Sequence, residues 1–179
     1  MNFSVKIVNC LLHVTRVCQT FFLHIRQLLQ IRDYLDLNFA KTLANALVVS
    51  RLDYCNSLLF GLPNTTLHRL QLVQNSLARA VVLSTKRRDH ITPVLRQLHW
   101  LPVVKRIDFK IAMTTFNVLT NKQPAYLAEL LVPVKHSARR SSNKNLLVAP
   151  LIKSANGRRS FTYAAPTVWN SLPQHISDC

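Results

Sequence analysis

The chain has 179 residues, 49% of them hydrophobic, enough for one packed domain, alone or with a tail. It carries 23 lysines and arginines against 7 aspartates and glutamates, a formal net charge of +16. This excess favours a polyanionic partner, most simply nucleic acid, over a surface that is basic only for solvation. With only two glycines, a Gly-rich phosphate loop is excluded, and the periodic apolar segments favour helices.

The four cysteines are irregularly spaced and include no C-x-x-C pair. They predict reduced thiols in an intracellular protein, nuclear or cytoplasmic, rather than a disulfide framework or a zinc site. The apolar stretch after Lys6 is interrupted by Asn9, His13 and Arg16, which makes it a weak match to a signal peptide. No run reaches the roughly 18 apolar residues that a membrane span needs.

Apolar residues at helical spacing predict three helices in the first half of the chain. The predicted ranges are 14–35, 39–60 with a break near 50–53, and a third helix that ends near residue 83. Asp36 or Asn38 is expected to cap the second helix, and Gly61 with Pro63 to end it. One of residues 64–66 is expected to cap the third helix.

The segment from Ile91 to Thr120 predicts two helices joined by a tight hinge. Thr92 is the expected cap of the first, short helix, with Pro93 at its first helical position. Pro102 disfavours the helical conformation at Leu101, so it ends that helix and opens the next one. The predicted apolar face of the second helix consists of Val104, Ile107, Ile111, Thr114, Thr115, Val118 and Leu119.

The C-terminal part of the chain differs in character from the rest. A short helix is predicted over 124–131, after which basic residues, serine, asparagine and proline predict an irregular extension over 133–179. Segment 146–152 contains a proline and is at best a short edge strand. Trp169 is expected to anchor this extension, and Asn170 to hold a turn. The predicted fold is therefore all-α, a bundle of about five to six helices with an irregular, basic C-terminal extension.

Nothing in the sequence predicts catalysis. Polymerases and nucleases hold metal ions with clustered carboxylates, whereas this chain has no Asp-Asp pair and its 7 acidic residues are scattered. The histidines lack H-x-x-x-H and H-E-x-x-H spacing, and no G-x-S-x-G occurs. We therefore expect no catalytic residue, metal site, cofactor or small-molecule substrate, so that the chain as it stands is not an enzyme.

Four ordered stretches resemble the region that follows the polymerase core in non-LTR (LINE-type) retrotransposon reverse transcriptases. They are S-R-L-D-Y-C-N-S-L-L-F-G-L-P from Ser50, R-L-Q-L-V-Q-N-S-L-A-R from Arg69, L-H-W-L-P-V from Leu98 followed by R-I-D-F-K-I, and R-R-S-F-T-Y-A-A-P-T-V-W-N-S-L-P from Arg158. The resemblance starts near Cys18. It implies an unmatched segment 1–17, a helical thumb-like domain 18–132 and a basic extension 133–179.

The resemblance also implies a role for the chain. It implies a fragment of a larger polyprotein that lies beside a missing polymerase core and helps to hold template RNA or an RNA–DNA duplex. The expected phosphate contacts are Lys86, Arg87, Arg88, Lys105, Arg106, Lys110, Arg139, Arg140, Arg158 and Arg159. They would act through charge and position, with little reading of base sequence.

Several alternatives remain open on the sequence alone. The run from Lys86 to Arg88 fits an exposed loop as well as a phosphate grip, and Trp100 fits the core better than base stacking. The whole chain also fits a helical packing or protein-interaction module, whose basic charge is incidental. It fits equally a decayed retroelement relic with no present activity.

Overall fold

The computed structural model describes residues 3–82, 88–134, 146–173 and 176. Within these ranges the α-helices are α1 (Phe3–Ile31), α2 (Leu37–Ala44), α3 (Ser50–Asp53), α4 (Asn64–Val81), α5 (Ile91–Gln97), α6 (Val103–Asn121), α7 (Ala125–Ala128) and α8 (Phe161–Asn170). The described residues contain no β-strand, only an isolated antiparallel bridge between Pro133 and Leu147. The predicted all-α fold is confirmed. No helix among them is long and apolar enough to cross a membrane.

The chain divides into two compact units whose segments alternate along the sequence. Unit 1 comprises Met1–Cys55 and Leu62–Arg106, and unit 2 comprises Asn56–Gly61 and Ile107–Cys179. The boundary between Arg106 of unit 1 and Ile107 of unit 2 falls inside α6. This division follows contacts in space, and it differs from the predicted segments 1–17, 18–132 and 133–179, which rest on motifs and composition.

Unit 1 is built on the packing of α1 against α4. Each helix buries one stripe of side chains at spacings of three and four residues, as expected for neighbouring helices. The stripe of α1 is Val14, Cys18, Phe21, Ile25 and Leu28, and that of α4 is Thr66, Leu70, Val73, Leu77 and Ala80. Hydrogen bonds fix the direction of the pair. Arg69 in α4 donates to Oγ1 of Thr15 in α1 over 3.1 Å, and the C-terminal ends of both helices also meet, so the helices run parallel.

A buried arginine joins the C-terminal ends of α1 and α4. Arg32 follows directly after α1, is only 7% exposed, and continues the buried stripe of that helix. Its Nε and Nη2 donate to the carbonyl oxygen of Val81, the last residue of α4, over 2.9 and 2.7 Å. Its Nη1 donates to the carbonyl oxygen of Leu35 over 2.6 Å. Carbonyl groups at a helix C-terminus carry partial negative charge, which stabilises the buried guanidinium.

Several predicted helix boundaries need correction. The predicted second helix, 39–60, is α2 followed by a π-helical turn, Asn45–Val49, and then α3. It ends before Tyr54, which is extended, and Cys55, which has a φ of +52°. Of the two predicted caps of α2, Asp36 is the cap, because its side chain accepts a hydrogen bond from the N–H of Phe39 over 3.0 Å.

The other two predicted caps are wrong. Helix α4 begins after Pro63 without a side-chain cap, and α5 is capped by the ring of His90, which accepts from the N–H of Thr92 over 3.4 Å. Thr92 therefore lies inside the helix that it was expected to cap. The apolar face of α6 is also rotated slightly from the prediction, since Val103 is buried whereas Val104 is 48% exposed.

The C-terminal extension, predicted to be irregular, contains α8. Pro166 lies inside this helix, and an internal proline ordinarily disfavours a helix because it lacks an N–H donor. Burial overrides that preference, because Ala165, Pro166, Val168 and Trp169 are all buried. The side chain of Asn170 then accepts from the N–H of Leu147 over 3.0 Å and donates to its carbonyl oxygen over 2.8 Å. Trp169 is 4% exposed, consistent with the predicted anchor, whereas Asn170 binds a segment 23 residues away and not the turn that was predicted for it.

Replacing Arg32 tests the link between α1 and α4. We expect Arg32→Leu to lower the free energy of unfolding by about 1.5–3 kcal/mol, because hydrogen bonds from a charged group are lost. Arg32→Lys should recover little of this, because an ammonium group lacks the planar donor fork. Urea unfolding followed by circular dichroism measures the change. Arg26→Leu, at an exposed site of α1, is the control and should shift the value by less than about 0.5 kcal/mol; equal effects would contradict the assigned role.

Candidate nucleic-acid interface

Arg106, in the first turns of α6, is an internal side chain of unit 1. Its Nη1 donates to Oδ1 and Oδ2 of Asp53 over 2.8 and 2.7 Å, and its Nε donates to the carbonyl oxygen of Leu101 over 2.8 Å. The side chain of Arg106 is only 12% exposed, whereas that of Asp53 is 45% exposed. The ion pair therefore joins α3 to the start of α6, and the guanidinium is engaged within the fold.

Two glutamines of α4 bind the hinge between α5 and α6. Gln74 is fully buried, and its Nε2 donates to the carbonyl oxygen of Leu101 over 2.8 Å. Gln71 accepts from the N–H of Val103 over 2.9 Å. The amide of Gln71 donates to Gln74 over 3.0 Å and to Asn75 over 2.8 Å. These bonds satisfy backbone groups next to Pro102, where the helices cannot supply partners.

Three of the four motif stretches therefore meet in one polar network. The stretch from Ser50 supplies Asp53, and the stretch from Arg69 supplies Gln71 and Gln74. The stretch from Leu98 supplies the carbonyl oxygen of Leu101, the N–H of Val103 and, in its second part, Arg106. The polar residues of these motifs hold the backbone of unit 1 in place. The exposed cations, rather than Arg106, are therefore the candidates for contact with a phosphate.

The structure separates the ten predicted phosphate contacts into three groups. Lys86, Arg87, Arg139 and Arg140 lie outside the described residues. Arg88, Lys105, Lys110 and Arg158 are exposed, whereas Arg106 and Arg159 are partly buried. Of the four exposed residues, unit 1 carries the first two and unit 2 the last two.

Arg158 and Arg159 lie in a 3-10 helix, Gly157–Arg159, but play different roles. Arg159 Nη2 donates to the carbonyl oxygen of Leu58 over 3.2 Å, and its side chain lies over Gly61. A Cβ atom on Gly61 would approach Cγ of Arg159 to 2.9 Å, and the φ of Gly61 is +70°, so this position requires glycine for two reasons. Arg158 donates to the carbonyl oxygen of Ile152 over 3.1 Å and is exposed.

The indole ring of Trp100, in the hinge, is not available for base stacking. Trp100 is 6% exposed, and its backbone N–H donates to the carbonyl oxygen of Leu95 over 2.8 Å. Its neighbour His99 has a φ of +57° and is exposed. The expectation that Trp100 belongs to the core is confirmed.

Several titratable side chains of the described residues have roles within the fold. No group of three or more His, Cys, Asp or Glu among them could hold a metal ion. Asp36 caps α2 and Asp53 binds Arg106. Burial raises the pKa of the Cys18 thiol, an effect that nearby Arg69 partly offsets. Cys18 therefore stays protonated at neutral pH, and it packs as an apolar core residue.

Sequence reasoning did not find the roles of Arg32, Gln71 and Gln74. Arg32 continues the stripe of α1 at position i+4 from Leu28, and Gln74 follows Val73 on the buried side of α4. A polar residue within an apolar stripe is the signal that could have identified both, since buried polar groups need hydrogen-bond partners. The partners themselves are far away in sequence, and periodicity carries no information about them.

Comparison of the chain with protein-family models, with curated proteins and with solved structures finds no match.

The different surroundings of two cations on α6 lead to a stability test. Arg106→Ala should lower the free energy of unfolding by about 1–3 kcal/mol, because the Leu101 carbonyl and Asp53 lose a charged donor. Lys110→Ala, at an exposed site of the same helix, should change it by less than about 0.5 kcal/mol. Urea denaturation of both variants provides the comparison. Equal losses would show that the Arg106 contacts contribute no more than an exposed cation does.

Proposed function

We propose that this chain is a non-catalytic segment of a retrotransposon RNA-directed DNA polymerase that helps to hold template RNA or an RNA–DNA duplex. The observation that carries the proposal is the formal charge of +16, joined to the four ordered stretches that resemble the region after the polymerase core. A formal charge of +16 means that acidic side chains cannot offset most of the cations. Phosphates of a nucleic acid are the simplest counter-charges for such a surface.

The contacts within unit 1 reduce the set of residues that we assign to phosphate contact. Because Arg106 binds Asp53 and the Leu101 carbonyl, we assign phosphate contact to the exposed cations Arg88, Lys105, Lys110 and Arg158. Lysine and arginine at such positions attract phosphates through charge, and binding then depends on salt but little on base sequence. In the parent protein, the polymerase core would supply the catalytic carboxylates.

The proposal predicts salt-dependent binding of the purified chain to a labelled RNA and to an RNA–DNA hybrid. The logarithm of affinity should fall steeply against the logarithm of salt concentration, with a slope of about −0.7 to −0.9 for each phosphate contact. Lys105→Glu and Lys110→Glu should each flatten the slope by about one contact or more. Fluorescence anisotropy across a salt series measures this slope.

The control is Arg96→Glu, which makes the same kind of charge reversal at an exposed site of α5 outside the assigned set. It should leave the slope closer to that of the unmodified chain than either lysine variant does. Negligible binding at low salt would refute the proposal. An equal effect of all three reversals would refute the assigned positions.

A second candidate function, packing against the missing polymerase core, is favoured by an exposed apolar stripe on α6. Phe109, Met113 and Phe116 are 57%, 39% and 38% exposed, although they are spaced by four and three residues along one helix. Apolar side chains grouped in this way on a surface often mark a contact with another protein. The stripe lies away from the buried residues Ile111 and Val118.

The second candidate predicts that the isolated chain self-associates through this stripe. Phe109→Glu combined with Phe116→Glu should then restore a monomer, because burying a carboxylate in an apolar contact is unfavourable. Sedimentation velocity measures the association state, and Asn121→Glu, at an exposed site of the same helix off this stripe, is the matched control. A wild-type chain that stays monomeric at high concentration would count against packing as the main role.

A further inference from the structure

A cavity of about 610 Å³ opens on unit 1 beside the middle of α1. Its lining residues are Arg16, Val17, Thr20 and Phe21 of α1, Ser50 and Arg51 of α3, and Tyr54. The volume lies within the range of about 300–1,000 Å³ that is usual for small-molecule sites. None of these residues belongs to the set assigned above to phosphate contact, so the cavity is a separate feature.

The charge of the lining selects an anion. Arg16 and Arg51 contribute two guanidinium groups, and none of the described lining residues is acidic. The carboxylate nearest in sequence, Asp53, is bound to Arg106. Two arginines on one cavity suit a phosphate group, whose oxygens accept several charge-assisted hydrogen bonds.

The side chain of His24 contacts both Gln27 and Arg51, and it orients Arg51. The Nδ1 of His24 lies 3.2 Å from Oε1 of Gln27. The Nε2 atom of the same ring lies 3.5 Å from Nη1 of Arg51. This contact uses only one of the guanidinium N–H donors. The others remain to bind a ligand in the cavity.

The remaining lining groups suit a planar ring with polar substituents. Tyr54 is 81% exposed, so its aromatic face is accessible at the cavity, whereas Phe21 is buried at 1% exposure and offers an apolar wall. The hydroxyls of Thr20 and Ser50 donate to the carbonyl oxygens of Arg16 and Ala46 over 3.1 and 2.7 Å. Their oxygens can therefore accept hydrogen bonds from a ligand but cannot donate to its phosphate.

We infer that this cavity binds a single nucleotide, with the phosphate between Arg16 and Arg51 and the base stacked on Tyr54. The inference goes beyond the proposed function, because the cavity contains none of the cations assigned there and takes one unpaired nucleotide, which a paired duplex cannot place on Tyr54. Two sources share this chemistry, a free nucleoside monophosphate and an unpaired nucleotide of a strand. Binding here is a ligand contact, and no reaction is part of it.

The test is isothermal titration calorimetry of the full chain with adenosine monophosphate, adenosine, inorganic phosphate and an unpaired oligoadenylate. Adenosine monophosphate should bind more tightly than adenosine or phosphate. Arg16→Ala and Arg51→Ala should each raise its Kd by about tenfold or more, as expected for a lost hydrogen bond to a charged group. Tyr54→Ala should raise the Kd by about fivefold or more, and Tyr54→Phe should preserve binding, because stacking needs only the ring.

The matched control is Arg26→Ala, which removes an exposed arginine of α1 that does not line the cavity. It should leave the Kd for adenosine monophosphate unchanged. All substituted side chains are exposed, and circular dichroism verifies that each variant is folded. Tighter binding of the oligoadenylate, lost in the same variants, would assign the cavity to an unpaired strand, whereas equal binding would assign it to a free nucleotide.

Three results would overturn the inference. They are no saturable binding of adenosine monophosphate, equal effects of Arg16→Ala and Arg26→Ala, and binding of inorganic phosphate as tight as that of the nucleotide. None of them would alter the salt-dependent duplex binding of the Lys105 and Lys110 variants. The two proposals can therefore fail separately.

Discussion

The fold depends on the hydrogen bonds that join the parallel helices α1 and α4 at their C-terminal ends. Parallel helices bring partial charges of the same sign together, and their last carbonyl groups lack partners within the helix. Arg32 places a cation at these ends, where its planar donor group binds the carbonyl oxygen of Val81, the last residue of α4, and that of Leu35, which follows the 3-10 turn Arg32–Tyr34. An arginine that is 7% exposed would be costly without such partners, so the cation and the helix ends require each other.

The position of α4 then determines where the hinge and the start of α6 lie in unit 1. Its apolar stripe faces α1, and the edge of that stripe carries Gln71 and Gln74, which hold the backbone around Leu101 and Val103. The position of this hinge sets where α6 starts, and Arg106 in the first turns of α6 completes the connection to Asp53. Each of these hydrogen bonds satisfies a buried or partly buried backbone group or charge.

Sequence reasoning found what local periodicity and turn chemistry determine. The all-α class, the stripe of α4, the Asp36 cap and the core position of Trp100 are all local properties. Helix α8 was missed, because Pro166 disfavours a helix locally and only burial in the folded chain compensates for it. The cavity at Arg16 and Arg51 could not be predicted either, since it joins residues that are 35 positions apart.

The structure changes how the motif resemblance bears on function. Asp53, Gln74, Gln71 and Asn170 belong to the resembling stretches, and each binds backbone or another side chain inside its own unit. Such residues would be retained by any chain that keeps this fold, whatever it binds. The exposed cations are not needed for these contacts, and a surface with a formal charge of +16 repels itself. The positive charge therefore supports the proposed nucleic-acid binding, whereas the polar residues of the motifs hold each unit in its fold.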